Sequence, residues 1–150
     1  MPSTYTNLLY HIVFSTKDRR PFINAKLREE LHPYIGGIIL DAGGKPIEIG
    51  GIADHVHILA KLPATLALSD ALRLIKSNSS KWAGERSDLV RMFAWQTGYA
   101  AFTVSKSQAR NVREYIQNQE RHHRRKTFKQ ELVSLLKKND IEYDERYLWD

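Results

Sequence analysis

The stretch His55-Val-His-Ile-Leu-Ala-Lys-Leu62 alternates between two sides and reads as a strand, joined through Asp54 to another strand at 47–53 (Ile47-Glu-Ile-Gly-Gly-Ile-Ala53). So short a connection joins antiparallel neighbours, because a parallel pair needs a crossover of about a dozen residues or more. Around this hairpin the other elements arrange themselves. Residues 4–15 are rich in aromatic and branched side chains and read as a long first strand, closed by the basic turn Lys17-Asp-Arg-Arg-Pro21. Asn24 is placed to cap a helix through Leu27, Leu31 and Ile35 to about Leu40, with Pro33 inside it. Residues 41–46 are turn chemistry.

Ala71, Leu72, Ile75 and Trp82 give 68–82 a helical period, with a start near Ser69. Residues 94–105, with Tyr99, Phe102 and Val104, form the last strand candidate, and Ser105 is placed to cap a helix from Lys106 through Tyr115 to about His123. A final amphipathic helix at 128–138 precedes an acidic tail. The order β-α-β-β-α-β-α-α begins with the split βαβ, ferredoxin-like or RRM-like order. It predicts an α+β fold: an antiparallel sheet with helices on one face, plus C-terminal helices. That architecture serves RNA readers, metal chaperones and nucleases alike, so function must come from the site.

With 150 residues, no linker and no internal repeat, the chain reads as one domain, 1–150. No apolar run approaches the roughly 20 residues that span a bilayer, and no secretory pattern opens the chain. Cysteine is absent, which removes disulfides, thiolate zinc sites and cysteine nucleophiles. The expectation is a cytoplasmic protein without a membrane partner. A net charge of +6 and a pI near 9.6 favour an anionic partner. Much of that charge sits between Lys106 and Lys126, where seven basic residues face two acids.

Two positions carry chemistry. On a strand, His55 and His57 stand side by side on one face, half of a divalent-metal site or a pair of ordinary half-buried histidines. Tyr115 and Gln119 share a helix face about 6 Å apart along the axis. A helical tyrosine is commonly a core residue, but this one lies in the most basic stretch of the chain, where a phosphodiester would be drawn. A phenol with a pKa of about 10 needs a nearby cation to attack phosphorus, and the histidine pair offers a place for one.

These residues, with Tyr115-Ile-Gln-Asn-Gln119-Glu-Arg-His-His, Asn7-Leu-Leu-Tyr-His-Ile-Val-Phe-Ser-Thr-Lys17, Gly51-Ile-Ala-Asp-His-Val-His57 and Trp95-Gln-Thr-Gly-Tyr-Ala-Ala-Phe-Thr-Val-Ser105, span nearly the whole chain. As an ordered set they resemble the single-tyrosine HUH transposases of small insertion sequences and their REP-associated relatives. The resemblance implies that His55, His57 and Gln119 hold one divalent ion, Mg²⁺ or Mn²⁺. It implies that Tyr115 attacks single-stranded DNA to give a 5′-phosphotyrosine and a free 3′-hydroxyl, with strand transfer as the reverse attack. It also implies hairpin-ended DNA substrates and a homodimer, in which the Tyr115 helix of one subunit can complete the other's site.

Of the other candidate third ligands, His122 lies about 10 Å along the axis from Tyr115, and Glu120 is rotated about 100° from Gln119. His122 and His123 are expected to touch DNA or solvate the helix. Asp54 is either a turn residue or the partner that orients a ligand imidazole. Candidate DNA contacts are Lys17, Arg19 and Arg20; Lys76, Ser79, Ser80 and Lys81; and Arg110, Arg113, Arg121, Arg124 and Arg125. Trp82, Trp95 and Tyr99 could stack on bases, with core packing as the plainer role. Two rival readings are a catalytically inactive, domesticated ferredoxin-like binder of single-stranded nucleic acid and a zinc hydrolase using His55, His57, His122 or His123. The hydrolase has no evident carboxylate base at ligand spacing.

Overall fold

A computed structural model describes residues 3–86 and 92–149. Four strands, β1 (Leu9–Ser15), β2 (Lys45–Ile52), β3 (His55–Lys61) and β4 (Ala100–Val104), form one antiparallel sheet in the order β2-β3-β1-β4. That is the ferredoxin-like order expected. Between the strands run α1 (Ala25–Asp41) and α2 (Leu68–Gly84), followed after β4 by α3 (Ala109–Gln117), α4 (Gln119–His122) and α5 (Phe128–Lys138).

Alternation along the strands divides the core in two. Ile12, Phe14, Val56, Ile58 and Ala60 point to one face, where Leu31, Ile35 and Ile39 of α1 and Leu72 and Ile75 of α2 cover them. Val13 and Phe102 point to the other, against Phe128, Leu132 and Leu136 of α5. The C-terminal helices therefore close the second face of the sheet, and the even-numbered side of β3 is core while its odd-numbered side carries histidines. Caps behave as the sequence suggests: Asn24 accepts from the Leu27 N–H at 2.8 Å, and Thr127 with Gln130 forms a capping box at α5. Pro33 sits within a continuous α1.

Element ends depart from expectation where neighbours decide them. β1 begins at Leu9 rather than at residue 4, because both its partners run out there, at Lys61 of β3 and Val104 of β4. Only the Leu62 N–H to Leu8 carbonyl bond, 3.0 Å, extends the pairing. β4 starts at Ala100 rather than residue 94. The preceding segment is held as a loop by an isolated Thr16–Trp95 bridge and by Lys76, whose Nζ donates to the carbonyls of Gln96, Thr97 and Gly98 at 2.8, 3.1 and 2.6 Å. The single helix expected at 106–123 is a 3-10 turn (Lys106–Gln108), α3 and α4. Asn118 breaks it, leaving helical dihedrals while its Nδ2 donates to the Glu114 carbonyl at 2.9 Å. Ser105 makes no side-chain cap, its hydroxyl lying 3.0 Å from that of Ser107.

Candidate active site

The odd-numbered face of β3 presents His55 and His57, both wholly buried, beneath α3, α4 and α5. Each imidazole is anchored through Nδ1. His55 Nδ1 is 2.7 Å from Asp54 Oδ1. His57 Nδ1 is 2.8 Å from Nε2 of His11, its neighbour on β1. His123 Nδ1 is 2.6 Å from the Lys126 carbonyl. With Nδ1 engaged in each case, the three Nε2 atoms turn inward to a common point.

Two oxygen-bearing side chains meet them. Gln119 Oε1 lies 2.9 Å from His55 Nε2 and 3.0 Å from His123 Nε2. Glu131 of α5, only 1% exposed, places Oε1 at 2.9 Å from His57, 3.1 Å from His123 and 3.3 Å from His55. Its other oxygen accepts hydrogen bonds from the Tyr115 hydroxyl and, at 3.1 Å, from Gln119 Nε2. His122 Nε2 lies 3.4 Å from the same hydroxyl, on the solvent side. One carboxylate thus faces the imidazoles with one oxygen and the tyrosine with the other.

Burial would lower His55, but its hydrogen bonds to Asp54 and Glu131 outweigh that and raise it to about 9. Burial lowers His57 to about 4, with Glu131 only partly opposing it. Burial would raise Glu131, yet its hydrogen bonds to His123, His55 and His57 hold it below the ordinary carboxylate range. Burial first, and then the Glu131 charge, push the Tyr115 phenol up. Both effects favour the protonated phenol, and positive charge at the cluster would favour the phenolate. Nitrogen and oxygen donors of His55, His57, His123 and Glu131 all lie within 4.8 Å of one another, a donor set that suits a divalent cation.

Tyr115, His55, His57, Gln119 and Asp54 are thus brought together as the sequence reading grouped them. His123 instead faces the cluster rather than solvent. Glu131 and His11 were missed, and Glu131 is the buried carboxylate that the sequence did not reveal. A signal for it existed: it falls in the register of the apolar stripe Phe128, Leu132 and Leu136, where a carboxylate is out of place unless partnered.

The DNA candidates divide by environment. Ser79 is buried, accepting from Trp95 Nε1 at 2.9 Å and donating to the Ile75 carbonyl, so it faces the core and not a strand. The Lys76 ammonium is occupied by its three carbonyls, Ser80 is half-buried and Lys81 exposed. Arg110 pairs with Glu114 at 3.4 Å and Arg113 with Glu48 at 3.7 Å. Arg121, Arg124 and Arg125 line a groove of about 1260 Å³ together with His122, Lys126, Lys129 and Trp149. Arg19, in the turn after β1 with Lys17 and Arg20, lies over the Trp149 ring at 5.5 Å. Trp95 packs edge-on to Phe14, and Trp82 stacks on Tyr34. Tyr99 is 41% exposed.

A ferredoxin-like sheet that holds a histidine pair, a carboxylate and a tyrosine beside a basic groove suits an enzyme that processes nucleic-acid strands. The family described as "Transposase IS200 like" matches residues 4–119, and the chain belongs to it: it is a transposase, an enzyme of DNA strand cleavage and transfer. It is 29% identical over 121 residues to the transposase for insertion sequence element IS200 of Salmonella typhimurium, covering 77% of this chain and 79% of that one. Identity to the ISDra2 transposase TnpA of Deinococcus radiodurans is 22% over 125 residues, 75% of this chain and 84% of the relative. Two solved structures share the fold. One is a protein of Deinococcus radiodurans R1 provisionally assigned as a transposase, with TM-score 0.63 and 20% identity over 79% of this chain and 95% of that one. The other is a REP-associated tyrosine transposase bound to a REP hairpin, with TM-score 0.61 and 17% identity over 82% and 73%. Among the described residues no helix is long and apolar enough to cross a membrane.

Proposed function

We propose that the 150 residues act as one transposase domain that cuts and rejoins single-stranded DNA with Tyr115 as nucleophile. The observation that carries this reading is the Tyr115 hydroxyl held against the buried His/Glu cluster, in a chain of this family. The Tyr115 oxygen attacks the scissile phosphorus, forming an O–P bond, and the 3′-oxygen departs and takes up a proton. The products are a 5′-phosphotyrosine and a free 3′-hydroxyl; strand transfer is the reverse attack by a 3′-hydroxyl. The Tyr115 hydroxyl donates its hydrogen bond to Glu131 Oε2.

His55, His57 and Gln119 would hold the Mg²⁺ or Mn²⁺ implied by the family resemblance, which supplies positive charge to a phosphate oxygen when bound. Asp54 and His11 then serve to aim the two strand imidazoles. The strand would be drawn by the groove cations Arg121, Arg124 and Arg125, with Lys17, Arg19 and Arg20 beside them across Trp149. A hairpin-ended substrate follows the relative bound to a REP hairpin. A cytoplasmic homodimer is the accompanying expectation, and Tyr115 beside its own chain's histidines favours a site complete within one subunit.

The test is incubation with labelled single-stranded DNA from the flanks of the gene, with Mg²⁺ or Mn²⁺, and a denaturing gel. An adduct that is EDTA-sensitive and absent in Tyr115→Phe, with binding retained, is the expected outcome. Continued cleavage by Tyr115→Phe would remove the tyrosine from the chemistry. No adduct from the wild type on the right flanks would favour a silent binder.

A further inference from the structure

His123 and Glu131 lie beyond residue 119, where the match to the family ends, yet they close the donor cluster. The separations run 2.9 Å from His55 Nε2 to Gln119 Oε1, 3.0 Å on to His123 Nε2, 3.1 Å on to Glu131 Oε1, and 3.3 Å back to His55. Four donors form a ring of nearly equal sides, and His57 Nε2 adjoins it at 2.9 Å from Glu131 Oε1. Ligands about 2.1 Å from one ion and at right angles to each other stand about 3.0 Å apart. The ring thus has the edge lengths of a six-coordinate shell.

We propose that His123 and Glu131 are ligands of the same divalent cation as His55, His57 and Gln119, and that its binding clamps α5 to the sheet. This extends the transposase reading, whose family resemblance assigns only the last three. A neutral set of two imidazoles and an amide would become a five-donor set bearing one negative charge, which suits a hard divalent cation better. Glu131 is 1% exposed and turns Oε1 to three imidazole Nε2 atoms, so its charge is aimed at the point where those nitrogens converge. Otherwise α5 is held by Phe128, Leu132 and Leu136 against Val13 and Phe102. Ligation ties it to β3 and α4 as well, so the ion stabilises the folded chain by linkage.

The experiment titrates the full chain with Mn²⁺ by calorimetry and follows thermal unfolding with and without the ion. The wild type should bind saturably and melt higher with Mn²⁺. Glu131→Gln, similar in size and still able to hydrogen bond, should lose affinity by about tenfold or more and lose most of that rise. His123→Ala should do the same, and it carries the test if Glu131→Gln fails to fold. Amide exchange in α5 should slow on Mn²⁺ addition in the wild type and not in the variants. Wild-type affinity in both variants, with binding lost in His57→Ala, would overturn the proposal, as would a wild type that binds no Mn²⁺. Adduct formation is read separately, so the Tyr115 assignment can survive either result.

Discussion

Trp95 is wedged edge-on between Phe14 and Phe93, both at 4.8 Å, and its indole N–H has Ser79 Oγ as partner at 2.9 Å. That bond lies inside the core, so no water replaces it cheaply. Ser79→Ala should destabilise the fold by about 1–3 kcal/mol, the cost of leaving a buried donor unpaired. Urea unfolding measures it, and an unchanged midpoint would mean that the indole finds another acceptor. Serine in the basic stretch Lys76 to Lys81 had read as a DNA contact; its side-chain direction around the helix, set by packing against Trp95, makes it structural instead. The same logic places Glu131, which the docking of α5 buries.

Between elements, the contact that sets the nucleophile is α3 lying directly on β2. A Cβ added at Gly50 would stand 2.5 Å from the Ile116 carbonyl, so the helix backbone rests where a side chain would be. Gly51 beside it has φ +148°, open to glycine but strained for other residues. Gly50→Ala should lift α3 and carry Tyr115, the neighbour of Ile116, away from the cluster. A misplacement of about 1 Å can cost on the order of a hundredfold in rate. Adduct formation should therefore slow at least tenfold while single-stranded DNA binding changes little. Equal loss of both, or of neither, would show that the glycine does not position the tyrosine.

Across the molecule, positive charge is uneven in its pairing. Arg28, Arg73, Arg110, Arg113 and Arg146 each have a carboxylate within 4.0 Å. No ion pair is found among the described residues for the groove arginines Arg121, Arg124 and Arg125. Replacing all three with Gln should flatten the salt dependence of single-stranded DNA binding. The slope of log K against log salt should fall by about 0.7 per lost phosphate contact, or about 2 in all. A slope unchanged from wild type would place the strand elsewhere.

Period and spacing, which are properties of neighbouring residues, were enough to identify strands and helices, the ferredoxin-like order, the shared face of His55 and His57, and the shared helix face of Tyr115 and Gln119; that the two pairs belong to one site came from the family resemblance. Strand ends were not legible, because a strand stops where its partner stops: Leu9 ends at Lys61 and Val104. Nor was the full donor cluster. His11 and His57 are 46 residues apart, and His57 and Glu131 are 74 apart, so no local pattern joins them. His11 meets His57 because β1 pairs with β3, whereas Glu131 reaches His57 only because the C-terminal helices close the second face of the sheet, driven by burial of Phe128, Leu132 and Leu136. The sequence determined which side chains share a face within each element; only tertiary packing decided which faces meet, because burial is satisfied between elements far apart in the chain.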